Sequence, residues 1–125
     1  MTFDDYANEM ADLDDEERLE TLIEIGERLP PLAAERAAVP FPAACRVQEC
    51  QTPVHLWVEV REGRVFIEAD VPKKSPTVRG LVALLVDAFR GETPEVVLRT
   101  PDDVLAALHL SAALGMTRQQ GARGV

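Results

Sequence analysis

Apolar positions along the chain change their period twice. Between residues 14 and 29 they recur at helical spacing, with Leu19, Leu22, Ile23, Gly26 and Leu29 on one stripe. Asp14 stands where the N-cap of that helix falls, and Glu17, three residues on, gives the spacing of a capping box. Pro30-Pro31 stops the helix. Ahead of it, the acidic segment Phe3 to Met10 predicts a separate helical turn. Residues 30–44 are rich in Pro and Ala and read as a loop, with a helical turn across Ala33 to Ala38.

From Val54 to Val60 the period falls to two. Val54, Leu56, Val58 and Val60 take one face, and His55, Trp57 and Glu59 take the other. Glu62-Gly63 reads as a tight turn, and Arg64 to Ala69 returns with Val65, Ile67 and Ala69 on one face. The pair predicts a β-hairpin whose Val54/Leu56/Val58 face lies under helices. A third short strand is expected near Arg46-Val47-Gln48, which would put Cys50 at a turn between strands.

The period then returns to helical. Ser75 reads as a cap, Pro76 as the first helical residue, and Val78, Leu81, Val82, Leu85 and Phe89 as the apolar stripe, with Gly91 as the stop. Thr93-Pro94 and Thr100-Pro101 repeat the cap-then-proline signature. They predict a short helix over Glu95 to Arg99 and a longer one over Asp102 to Leu114, closed by Gly115. Thr117 is placed to cap a last turn through Gln120. Segregated strands and helices predict an α+β domain, a small antiparallel sheet of two to three strands covered by helices. At 125 residues the chain is expected to form a single domain, 1–125.

Charge narrows the partners. The formal net charge is -9, and half of the 22 acidic residues precede Arg28. Such a field repels phosphate backbones and anionic membrane surfaces, so neither nucleic acid nor membrane is an expected partner. The acidic stretch reads either as a solvated face or as a docking surface for a basic patch on a protein partner. No apolar run approaches the roughly 20 residues that span a bilayer. Met1-Thr2-Phe3-Asp4-Asp5 lacks the basic-then-apolar order of a signal peptide, so a cytoplasmic location is expected.

Candidate chemistry comes down to few residues. Gly63, Gly80 and Gly91 are isolated, so a phosphate loop has no signature. The soft ligands are Cys45, Cys50, His55 and His109, and the 45-50-55 spacing does not match short zinc pairings. His55 alternates within a strand, and His109 falls inside the last long helix. No metal and no cofactor is expected. Cys50 lies among polar neighbours, Gln48, Glu49, Gln51 and Thr52. A thiolate attacks sulfur and can hold a second sulfur as a persulfide, which needs one accessible cysteine on a loop. Glu49 discourages the thiolate and Arg46 offsets it. On residue chemistry alone, a sulfur nucleophile and a space-filling cysteine both remain open.

A family resemblance moves that balance. Leu22 to Pro30, then Val47-Gln48-Glu49-Cys50-Gln51-Thr52-Pro53-Val54, resembles the SufE family of sulfur-acceptor proteins, which includes a CsdE branch. Val78-Arg79-Gly80-Leu81, Phe89-Arg90-Gly91-Glu92-Thr93-Pro94 and Leu114 to Gly121 follow in the family's order. The resemblance implies a SufE/IscU-like α+β fold. It also implies sulfur transfer from a cysteine desulfurase of the SufS/CsdA kind onto Cys50 as a transient persulfide. The sulfur would then pass to an iron–sulfur scaffold complex of the SufBCD kind. Such a protein is a sulfur-transfer partner, not an independent enzyme. Gln51 matches the residue after the family's cysteine, and Arg118 and Gly121 match its C-terminal pair, implied to lie near the cysteine loop. The chain departs from the family at Glu49, where Gly is frequent, at Thr52, where Ser is frequent, and at His55, where an aromatic commonly follows the valine. The alternatives are an IscU-like iron–sulfur scaffold, which needs about three cysteine ligands, and a non-catalytic interaction domain in which Cys50 only packs. Cys45 is an extra thiol, read as inert in preference to a regulatory disulfide with Cys50.

Overall fold

The computed structural model describes residues 1–37, 41, 43–47 and 52–111. Helix α1 spans Phe3–Ala11 and is closed at its start by a reciprocal capping box between Thr2 and Asp5. It is a full helix, longer than the expected turn, because Phe3, Tyr6 and Met10 fall on one face and are buried there. Helix α2 spans Asp15–Glu27, with the predicted box in place: Asp14 Oδ1 accepts from the Glu17 N–H, and Glu17 Oε1 accepts from the Asp14 N–H.

The buried stripe of α2 is Leu22, Ile25 and Gly26, continued by Leu29 beyond the helix end. Ile23 faces solvent at 37% exposure, contrary to the sequence reading, and Leu19 is only half-buried. The contact with helix α3, Pro76–Phe89, sets this rotation. Gly26 and Gly80 meet at the crossing, where a Cβ on Gly80 would lie 2.6 Å from the Leu22 carbonyl carbon and closer still to its oxygen. The missing side chain therefore lets the two backbones approach. Helix α3 is buried from Gly80 through Val86 and again at Ala88 and Phe89, as befits the central element of the core. Ser75 precedes it, but its side chain makes no capping bond.

Strands β1, His55–Arg61, and β2, Arg64–Asp70, pair antiparallel, with Trp57 opposite Glu68 and Val58 opposite Ile67. The turn uses Glu62 and Gly63 at φ 51° and 74°, the positive values a two-residue hairpin favours. The expected third strand is a single antiparallel bridge, Arg46 to His55; Gln48 lies outside the described residues. On the other edge, the Val65 N–H donates to the Glu92 carbonyl (2.8 Å) and the Gly91 N–H donates to the Val65 carbonyl (2.9 Å).

Val54, Val65, Ala69 and Val71 are buried on the helix side of the sheet, but Val58 and Val60 are 62% and 58% exposed. The expectation that Val58 is covered is thus corrected. Helix α4, Pro94–Arg99, stands off from the hairpin and leaves an open apolar groove of about 340 Å³ lined by Val58, Val60, Ile67, Val86, Val97 and Leu98 among others.

Helix α5 covers only Val104–Ala107, capped by Asp103, and not the predicted Asp102 to Leu114. His109 takes a left-handed φ of 61°, which breaks the helix. The break lets Leu110 join Leu105 and Leu108 in the core, with its N–H donating to the Leu105 carbonyl at 2.8 Å. Leu114, Gly115, Thr117 and Gln120 lie outside the described residues. The fold is α+β, with five α-helices and one two-stranded antiparallel sheet among the described residues.

Candidate functional site

Cys50, Gln51, Arg118 and Gly121, the residues the sequence marks for function, all lie outside the described residues. The described residues fix the two ends of the Cys50 connection. The Val47 N–H donates to the Val54 carbonyl (2.9 Å), and the Val54 N–H donates to the Thr52 carbonyl (2.8 Å). Val47 and Val54 are 7% and 0% exposed, so both ends are anchored in the core. Arg46 and His55 bridge one position further from the loop. Three peptide steps separate Cys50 from Val47, a span of at most about 11 Å.

The approach to this connection is held against the outer sheet face. Arg36, which ends a 3-10 turn at Ala34–Arg36, forms ion pairs with Glu59 on β1 and Glu68 on β2. The Ala33 N–H donates to Glu68 Oε1 at 2.6 Å. Further along, the Phe41 ring lies 5.0 Å from His55 and packs edge-on against Trp57 at 5.5 Å. A second 3-10 turn, Ala43–Cys45, leads to Arg46. Cys45 is a free, half-buried thiol there.

The sequence reading placed His55 on the outer strand face but did not settle its burial. Its Nδ1 is buried with no hydrogen-bond partner. The alternation along β1 placed it on the polar face beside Trp57, but nothing in that pattern tells a solvated imidazole from one covered by Phe41. His109, expected inside a helix, instead sits exposed in the turn after α5. Among the described residues no group of three or more His, Cys, Asp or Glu side chains is placed to hold a metal ion. All the acidic residues from Asp4 to Glu27 are exposed along α1, α2 and their connection.

A second cluster joins α1 to α3. The Tyr6 hydroxyl donates to Asp87 Oδ2 at 2.6 Å, and the N-terminal ammonium lies 3.3 Å from the same oxygen. Burial opposes ionisation of Asp87, but these two donors outweigh it and hold its carboxyl below the usual range. Burial, and then the bond to Asp87, push the Tyr6 hydroxyl well above its usual value.

Residues 4–125 match the family profile of SufE, the Fe-S metabolism associated domain. The chain belongs to the SufE family. Its similarity extends to a SufE-like protein of Synechocystis, 31% identical over 108 residues, covering 86% of this chain and 64% of that protein's length. A cysteine desulfuration protein SufE of Plasmodium vivax is 32% identical over 88 residues, covering 69% of this chain and 36% of that protein. In three dimensions the SufE chain matches the solution structure of a hypothetical protein from Thermus thermophilus. The TM-score is 0.81 at 28% identity, covering 99% of this chain and 89% of the other. No helix among the described residues is long and apolar enough to cross a membrane.

Proposed function

We propose that the protein accepts sulfur on Cys50 from a cysteine desulfurase, stimulates that enzyme, and passes the sulfur on for iron–sulfur cluster assembly. The observation that carries this reading is the anchored connection: the family's cysteine position falls between two core residues that hydrogen bond to each other. Such a closure fixes the points at which the connection leaves and rejoins the core.

The transfer is a thiol–persulfide exchange. The Cys50 thiolate attacks the outer sulfur of the partner's persulfide, forming a new S–S bond as the partner's own S–S bond breaks. The partner leaves as a thiolate and takes up the proton that Cys50 lost, so no external oxidant or reductant is needed. In this reading Gln51, Arg118 and Gly121 support the loop. The donor is a desulfurase of the SufS/CsdA kind and the recipient a scaffold complex of the SufBCD kind. The exposed acidic surface of α1 and α2 is the docking face for the donor.

Intact-mass spectrometry after incubation with the desulfurase and cysteine tests the proposal. Wild type gains one sulfur, about 32 Da, and Cys50→Ala gains none. Full stimulation of the desulfurase by Cys50→Ala would refute the carrier reading. Iron-dependent colour after anaerobic reconstitution would favour a scaffold instead.

A further inference from the structure

We propose that the open edge of β1 pairs with the same edge of a second copy of this chain, antiparallel about a two-fold axis at Val60, to make one continuous four-stranded sheet. The inference goes beyond the carrier reading above and does not depend on it.

The starting observation is a strand with one edge unused and two exposed valines on it. Arg61 and Arg64 flank the two-residue turn, so they exchange both backbone bonds. Alternation then turns the backbone groups of Arg61, Glu59 and Trp57 toward β2, and those of Val60 and Val58 away from it. Among the described residues, no group outside the hairpin bonds to the backbone of Val58 or Val60. The other margin of the hairpin is closed, because Gly91 and Glu92 bond to Val65 there. Val58 and Val60 are 62% and 58% exposed. An unused strand edge with apolar side chains beside it is a template for a further strand.

Charge identifies the occupant. Charged residues on an edge strand ordinarily keep other chains away. Here they are Glu59 and Arg61, opposite in sign and two residues apart on the outer face, with Arg61 Nε 3.4 Å from Glu59 Oε2 within one copy. Backbone pairing requires the outward-pointing residues of one edge to face those of the other. Three registers bring the valines of two copies together. Val58 against Val58 sets Arg61 opposite His55 of the second copy, where Arg46 already occupies the edge. Val58 against Val60 sets Glu59 directly opposite Glu59 of the second copy, a like-charge pair. Val60 against Val60 sets Glu59 opposite Arg61 of the second copy and Arg61 opposite its Glu59, so one short strand forms two ion pairs with itself. In that register the two Val60 residues exchange both backbone bonds, and Val58 stands diagonal to Val60 of the second copy. Arg46 of the second copy lies beyond the Glu62-Gly63 turn and obstructs nothing.

Sedimentation equilibrium of the full chain, from micromolar to millimolar concentration and with reductant present, tests the pairing. Wild type should pass from monomer to dimer and no further, since one two-fold contact uses the open edge of both copies. Arg61→Glu sets like charges opposite each other, as does Glu59→Arg, and each alone should associate about tenfold more weakly. An equimolar mixture of these two variants restores both ion pairs and should associate as tightly as wild type. Val60→Lys, at an exposed position, should fold and stay monomeric. A wild type that is monomeric throughout overturns the proposal and leaves the edge to a different protein. So does an Arg61→Glu protein that associates as wild type does, or a mixture that associates no better than its components. Glu59→Arg also loses the ion pair with Arg36. Should it fail to fold, Arg61→Glu and Val60→Lys decide, and wild-type association of either one overturns the pairing.

Discussion

Replacing Gly80 by alanine probes the contact that orients the whole helical layer. The new Cβ would lie 2.6 Å from the Leu22 carbonyl carbon and 3.0 Å from the Leu22 Cβ. Carbon atoms pack at about 3.5 Å, so α2 must retreat by about 1 Å. The clashes with the Leu22 carbonyl carbon and oxygen are with backbone, and no rotamer change relieves them. A gap of about 1 Å forfeits a quarter to a half of the dispersion attraction across it. Overpacking costs roughly 1–3 kcal/mol, and a backbone clash at 2.6 Å puts this case at the top of that range, while alanine regains about 1 kcal/mol of helix propensity over glycine. The expected net loss is about 2 kcal/mol. For a domain of this size that lowers Tm by roughly 8 °C. Gly26→Ala is the matched comparison, because its Cβ would meet Gly80 N at 2.9 Å and Gly80 Cα at 3.1 Å. A shift of a few tenths of an ångström relieves it, so its net cost should stay within about 1 kcal/mol. Once α2 has moved for one methyl it has moved for both, so the double variant should lose less than the sum. Urea unfolding followed by far-UV circular dichroism measures all three. A Gly80→Ala protein as stable as wild type would refute the account of the crossing.

Three further outcomes follow from the geometry. Tyr6→Phe should cost on the order of 1 kcal/mol at neutral pH, toward the low side because Asp87 is 38% exposed. The Asp87 carboxyl is held low, so this contribution is present above its unfolded value of about 3.9 and fades as pH falls below it. The raised Tyr6 hydroxyl works the other way, its contribution being full below about pH 10 and lost above, so urea titrations of wild type and Tyr6→Phe should converge at both extremes. Arg79 donates from Nε to the Gly26 carbonyl (3.1 Å) and from Nη1 to the Val71 carbonyl (2.6 Å). Arg79→Ala should therefore lose about 2–3 kcal/mol, and Arg79→Lys should recover only part because an ammonium lacks the planar fork. Val58→Thr should change stability by no more than about 0.5 kcal/mol, since the side chain is 62% exposed; a loss typical of a core position would contradict the open groove.

The sequence carried most of the local structure because the signals were local. The Asp14–Glu17 box and the Glu62-Gly63 turn each depend on a few adjacent residues. The face of α2 was less legible. Apolar residues at Leu19, Leu22, Ile23, Ile25 and Leu29 surround much of that helix, and the choice of Ile25 over Ile23 is made by Gly80 on another element. Val58 obeys the strand alternation perfectly, yet alternation says which face a residue takes and not how far a helix reaches along it. The early end of α5 rests on a left-handed His109, a conformation that the residue type does not announce. At the candidate site, the family motifs marked Cys50, but Arg79-Gly80 within them is explained by packing: one residue ties α2 to the end of β2 and the next lets α2 approach. The burial of His55 was not legible, because its covering ring, Phe41, is distant in sequence.

If the protein carries sulfur as proposed, the closure between Val47 and Val54 has a consequence for the order of events in its delivery. With both ends fastened in the core, chain length keeps Cys50 within about 11 Å of Val47. Donor and recipient must then come to the same spot, and two large proteins cannot occupy it together. The carrier reading thus implies alternation: the desulfurase has to leave before the next acceptor arrives, and an excess of either partner should slow the flow of sulfur to the other.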